Sequence, residues 1–196
     1  MTPPQVAVLT EKIRALEAEL EAELAKRHAE LRVGLEKGRA FFEEEVLRRH
    51  RELKTSLLGY IATARPLVLL TAPVIYALVV PLALLDLGVT IYQAVCFPIY
   101  GIPKVRRRDY LVFDRYALAY LNALEKLNCA YCSYANGLIA YVREIAGRTE
   151  QHWCPIKHAR RAIGAHAEYA SFEDFGDAEA YRERIERWQN EHRRGA

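Results

Sequence analysis

A surplus of charge of either sign is missing from this sequence: 28 Lys and Arg stand against 25 Asp and Glu over 196 residues, a formal net charge of +3. So even a balance does not supply the phosphate-neutralising excess on which general nucleic-acid affinity rests, and no nucleic-acid partner is expected. Cysteine is scarce as well. Four in this length are too few to staple a secreted domain. The opening Met1-Thr2-Pro3-Pro4-Gln5 lacks the basic and apolar regions of a signal peptide, so an intracellular or membrane setting is expected. Enzyme signatures are wanting too: there is no P-loop, Gly-rich dinucleotide turn, G-x-S-x-G or H-E-x-x-H. Glu144 and Glu150 near His152 lack the Glu-x-x-His spacing of a carboxylate-bridged di-iron centre. Catalysis is therefore not the leading expectation. Hydrophobic residues at 52% and charged residues at 27% also argue against disorder.

Charge is most conspicuously absent from Pro66 to Ile102, where Asp86 stands alone. This stretch, within region 58–103, reads as a membrane segment in contact with lipid. One straight helix of its length would overshoot the ~30 Å hydrocarbon core, so a helical hairpin is predicted. Leu67 to Leu85 forms the first leg, Asp86-Leu87-Gly88 the apex, and Val89 to Ile102 a shorter second leg with Pro98 and Pro103 near its end. A re-entrant second leg, or a single pass with an amphipathic flank, competes with this reading. Asp86 has its own alternative, as a buried functional acid. Arg48, Arg49, Arg51, Lys54 and Arg65 precede the stretch, and Lys104, Arg106, Arg107 and Arg108 follow it, which predicts cytoplasmic placement of both ends.

Region 1–57 carries apolar residues at intervals of eleven. Leu9, Leu20, Leu31, Phe42 and Leu53 form one column, and Ile13, Leu24, Leu35, Val46 and Leu57 a second, four residues away. Eleven residues over three turns keep both columns on one helical face, so a long amphipathic arm is predicted. Its leading reading is a coiled coil that makes the protein a homo-oligomer. Packing back on its own chain and lying on lipid are the alternatives. Gly34 and Gly38 weaken the middle, and a bend or break is expected near Val33 to Gly38. His28 and His50 are expected to be ordinary exposed histidines.

Region 104–196 reads as a small cytoplasmic helical domain, making the fold class all-α. Asp109 is predicted to cap a helix through Tyr110, Phe113, Tyr116, Tyr120 and Leu124, an aromatic stripe best suited to a core or the membrane interface. Further helices are predicted at Ser133 to Ile145, closed by Gly147, and at Ala178 to His192, docking through Ile185 and Trp188. Between them lies the chemistry. Cys129 and Cys132 form a C-x2-C pair, and Cys154 and His158 a C-x3-H pair 21 residues on. Three thiolates and an imidazole suit a closed tetrahedral zinc site, with His152 and His166 as alternative fourth ligands and an iron–sulfur cluster as the alternative cofactor. A reactive Cys129–Cys132 dithiol at a helix start, and four cysteines packed merely as small hydrophobes, are the competing readings; Cys96 belongs to the last class.

Asn128 to Gly137, reading NCAYCSYANG, and Thr149 to Ala159, reading TEQHWCPIKHA, resemble a family of uncharacterised bacterial membrane proteins that share both blocks. The resemblance covers roughly Phe113 to Arg161 and leaves the N-terminal arm outside. It implies a bacterial inner-membrane setting and no particular activity. The expectation from sequence is a membrane-anchored, zinc-binding scaffold or assembly protein, with other membrane-complex subunits as further partners. The alternative is a membrane-associated redox protein.

Overall fold

In a computed structural model, which describes residues 3–31, 33–36, 39–160 and 162–194, the chain is mostly helical, as expected. Helix α1 runs Pro3–Glu30. Strands β1 (Val33–Glu36) and β2 (Arg39–Phe42) pair antiparallel, Val33 opposite Phe42 and Glu36 opposite Arg39. Helices α2 (Glu44–Glu52) and α3 (Leu57–Thr63) follow. The arm is thus not one rod. The eleven-residue columns stay on a single helix only as far as α1 extends, and Leu35, Phe42, Val46, Leu53 and Leu57 fall on other elements or between them. The break sits where Gly34 was expected to weaken the helix; Gly38 lies outside the described residues.

Helix α4 (Pro66–Ala77) and helix α5 (Val79–Tyr100) form the apolar stretch, interrupted only at Leu78. Pro81 explains the interruption: it has no N–H to offer the carbonyl of Ala77 four residues back, so the helix restarts with Pro81 in its first turn. Tyr131 partly compensates, its hydroxyl donating to the Ile75 carbonyl at 2.9 Å. The hairpin apex expected at Asp86-Leu87-Gly88 does not form, because all three residues lie inside α5. Gly101, at φ 68°, ends α5, and the Ile102 N–H returns to the Phe97 carbonyl at 2.9 Å.

The segment from Ile102 to Asn122 is a crossover with short 3-10 turns at Arg107–Asp109 and Arg115–Ala117. The predicted helix capped by Asp109 is absent there. The cap is instead Asn122, whose side-chain oxygen accepts from the N–H groups of Leu124 and Glu125, both at 3.0 Å. Glu125 returns the bond to the Asn122 N–H at 2.8 Å. From this capping box helix α6 runs Ala123–Trp153 without a stop at Gly147. Helix α7 covers Ala178–Arg194, its first turn capped by Asp177, which accepts from the Ala180 N–H at 3.0 Å. Ile185 is half-buried, and the side chain of Trp188 lies outside the described residues.

The chain divides into two compact units. Met1–Arg65 and Phe113–Ala130 make the first; Pro66–Val112 and Tyr131–Ala196 make the second. In the first, His50 is not an exposed histidine: its ring sits edge-on between Phe42 and Tyr120, 5.0 Å from each centroid. In the second, α5 and α6 run parallel. Asp86 meets Tyr134, Gln93 meets Tyr141, and Tyr100 stacks on His152, so position advances along both helices together. The core between them is Phe97, Val105, Leu111, Leu138, Tyr141 and Ile145. Leu82, Asp86, Val89, Gln93 and Phe97 recur at helical spacing, which gives α5 one face toward this core.

Candidate functional site

Asp86 is the single charge in the apolar helix pair, and the second unit is built around it. Arg107 donates to both carboxylate oxygens, from Nε at 3.3 Å and from Nη2 at 2.6 Å, and the Tyr134 hydroxyl adds a third bond at 3.1 Å. Only 15% of the Asp86 side chain is exposed, against 47% for Arg107. A two-pronged guanidinium is the partner best shaped for a carboxylate. Its hydrogen bond to Asp86 raises the already high pKa of Arg107. Tyr134 also titrates above its ordinary value, through burial first and then the Asp86 bond, and so remains a donor at neutral pH.

Two turns further along α5, Gln93 is buried with both ends of its amide hydrogen-bonded. Its Nε2 donates to the Tyr141 hydroxyl, and its Oε1 accepts from the Val105 N–H at 2.8 Å. Asp86 and Gln93 therefore fasten the crossover to α5 at two points. Gly137 allows the third attachment, on α6: a Cβ there would lie 2.6 Å from the Tyr110 carbonyl oxygen.

The cysteines are arranged differently from the sequence expectation. Cys129 and Cys132 occupy successive turns of α6, whereas Cys154 follows its last residue. The 22 residues from Cys132 to Cys154 span ~33 Å at 1.5 Å per helical residue, so one chain does not close Cys129, Cys132, Cys154 and His158 around one ion. The structure does not bring the expected zinc or iron–sulfur donors together within one chain. Among the described residues, no group of three or more His, Cys, Asp or Glu is placed to hold a metal. The dithiol reading also loses its helix start, since α6 begins six residues before Cys129. Side chains three apart on a helix have Cβ atoms about 5–6 Å apart, wider than the roughly 3.5–4.5 Å a disulfide needs.

Both alternative histidines have other partners. His152 stacks on Tyr100 with ring centroids 5.3 Å apart. His166 packs over Gly147, where a Cβ would meet its ring at 2.6 Å, and its Nε2 lies 2.9 Å from Glu150 Oε2. The Cys154-to-His158 segment is itself tied down. Pro155 is buried, and Ile156 forms a parallel bridge with Glu173. Lys157 donates to Asp174 at 2.8 Å, holding that carboxyl below its usual pKa, and the Tyr169 hydroxyl accepts from the His158 N–H at 2.6 Å. The conspicuous WCPIKH block thus forms a structural tie at the end of α6.

Sequence reading missed the partners of Asp86. The usable signals were present, in an acid isolated among apolar residues and a run of three arginines 20 to 22 residues later. No family model, curated protein or solved structure matches the chain.

Proposed function

We propose that this protein is a membrane-anchored scaffold, held in one face of the bilayer by α4 and α5. Pro66–Tyr100 is long and apolar enough to cross a membrane, with a mean hydropathy of 2.5 over its most apolar window, none of it buried. In α4, Leu67, Val68, Leu69 and Leu70 are all exposed, so apolar side chains surround the helix, which calls for lipid around it.

The observation that carries the reading is within the first unit: His50, before the apolar stretch, touches Tyr120, after it. Both flanks then lie on the same side of the membrane. The return path, Lys104 to Asp109, is too charged to pass through hydrocarbon. An immersed, non-crossing helix pair satisfies both facts, and the arginines of the two flanks favour the cytoplasmic face of a bacterial inner membrane. The exposed stripe of α1, with Leu9, Ile13, Leu16, Leu20 and Leu24, supports self-association as the scaffold's working contact.

Topology mapping tests this. Single cysteines are placed at Glu52 and Lys104 in a chain whose native cysteines are serine, and inverted membrane vesicles are treated with an impermeant maleimide. Both positions label in inverted vesicles and neither in right-side-out spheroplasts, and the protein resists carbonate extraction. Labelling of the two positions from opposite faces overturns the reading.

A further inference from the structure

A cavity of about 490 Å³ opens in the second unit where the ends of α5 and α6 meet α7; its polar lining is Arg148, Gln151, His152, Glu173, Arg184 and Arg187. Three guanidiniums face one carboxylate there. The arginines are held in place by bonds that leave donors over. Arg148 gives Nε to Glu144 at 2.8 Å and Nη1 to the Pro103 carbonyl at 2.7 Å. Arg184 gives Nη1 to the Ser171 carbonyl at 2.6 Å and to Glu173 at 3.2 Å, and Arg187 gives Nε to the Glu183 carbonyl at 3.3 Å. Each guanidinium has five N–H groups, so each keeps donors beyond those bonds to described residues.

Arg148 and Arg184 are about three-quarters buried and pre-oriented, with side-chain exposures of 26% and 23%. Each of these two arginines is held by one carboxylate, Glu144 or Glu173, and one backbone carbonyl, so the excess positive charge at the cavity is that of Arg187. We propose that this cavity binds a phosphorylated ligand, its terminal oxygens received by Arg148, Arg184 and Arg187. A single carboxylate would be saturated by one guanidinium fork, whereas a phosphate offers three terminal oxygens to donors converging from different elements. The Tyr100–His152 stack, Ile102 and Pro103 make the remaining wall apolar and aromatic, a surface for the rest of the ligand. The chemistry is shared by a lipid phosphate headgroup and a free phosphorylated metabolite. The proposal does not depend on how α4 and α5 meet the membrane.

Titration of the full-length protein in neutral detergent separates the sources. One arm uses inorganic pyrophosphate; the other uses dioctanoyl phosphatidic acid, with dioctanoylglycerol as the phosphate-free control. The expected result is one phosphate-bearing probe bound per chain and no binding of dioctanoylglycerol. The tighter of the two phosphate probes identifies the source. Arg187→Gln, which gives up only a backbone contact to a described residue, weakens binding about tenfold, and Arg184→Gln does the same at unchanged helical content. Arg182→Gln, on the same helix but outside the cavity, changes binding by less than about twofold. Failure of both phosphate probes to bind, or an Arg182→Gln loss equal to that of Arg187→Gln, overturns the proposal.

Discussion

Arg107 and Asp86, 21 residues apart, form a two-pronged ion pair that fixes the crossover against the apolar helix. Removing the acid strands a half-buried guanidinium and a tyrosine hydroxyl. Asp86→Ala is expected to cost about 2 kcal/mol of unfolding free energy, a value tempered by the solvent that reaches Arg107. In a double-mutant cycle with Arg107→Ala, measured by denaturant titration in detergent, the coupling is at least about 0.5 kcal/mol. Additive losses would show that the pair is incidental.

Two glycines in the second unit are expected to respond oppositely to alanine. At Gly137 the new methyl meets the backbone of Tyr110 and Leu111, at 2.6 and 3.1 Å, and neither moves without displacing the crossover. Gly137→Ala should cost about 2 kcal/mol. At Gly88 nothing lies within 4 Å, so Gly88→Ala should be neutral or stabilise α5 by up to about 1 kcal/mol. Thermal unfolding of both variants, side by side, measures the contrast.

The separation of Cys129 and Cys132 from Cys154 and His158 by the length of α6 makes a prediction about metal. Zinc in protein never exposed to chelator should fall below one ion per chain by elemental analysis. Cys132→Ser and Cys154→Ser should each shift stability by no more than about 0.5 kcal/mol, as exposed substitutions do. A chelator that unfolded the C-terminal half would reinstate a shared site, because such sites couple metal binding to folding.

Helix α1 leaves a continuous apolar stripe in contact with solvent. With Leu20 and Leu24 both changed to Glu, a self-associating protein is expected to shift to monomer in sedimentation equilibrium, while helix content and membrane retention stay unchanged. A wild-type protein already monomeric across the same concentration range would remove self-association from the scaffold reading.

The helical class, the apolar stretch and α7 were legible in the sequence because each rests on local periodicity or a local cap. Asp177 stands immediately before the segment expected to form α7 and caps it through its own side chain. Asp86 misled for the same reason. A lone acid beside glycine resembles a turn when its partners, Arg107 and Tyr134, lie 21 and 48 residues away. The four expected ligands stand apart because of a length: 21 residues separate the two short motifs, and the Asn122–Glu125 capping box starts a helix that makes most of them a rod. Aromatic spacing from Tyr110 to Leu124 suggested a helix, but the backbone there is held by long-range contacts such as the one over Gly137.

Parallel packing of α5 and α6 has a consequence for the order of events during synthesis. Antiparallel neighbours pair as soon as the second leaves the ribosome, but here contacts join residues 48 to 57 apart, and the last turn of α6 is made 53 residues after α5 ends. At roughly 5–20 residues per second, the apolar helices wait about 3–10 s for their partner. Under the proposed function, lipid covers their apolar faces in that interval. In the proposed membrane setting the nascent chain reaches the bilayer first and completes its core there, with Tyr134, Tyr141 and then His152 docking along α5 in the order they are made.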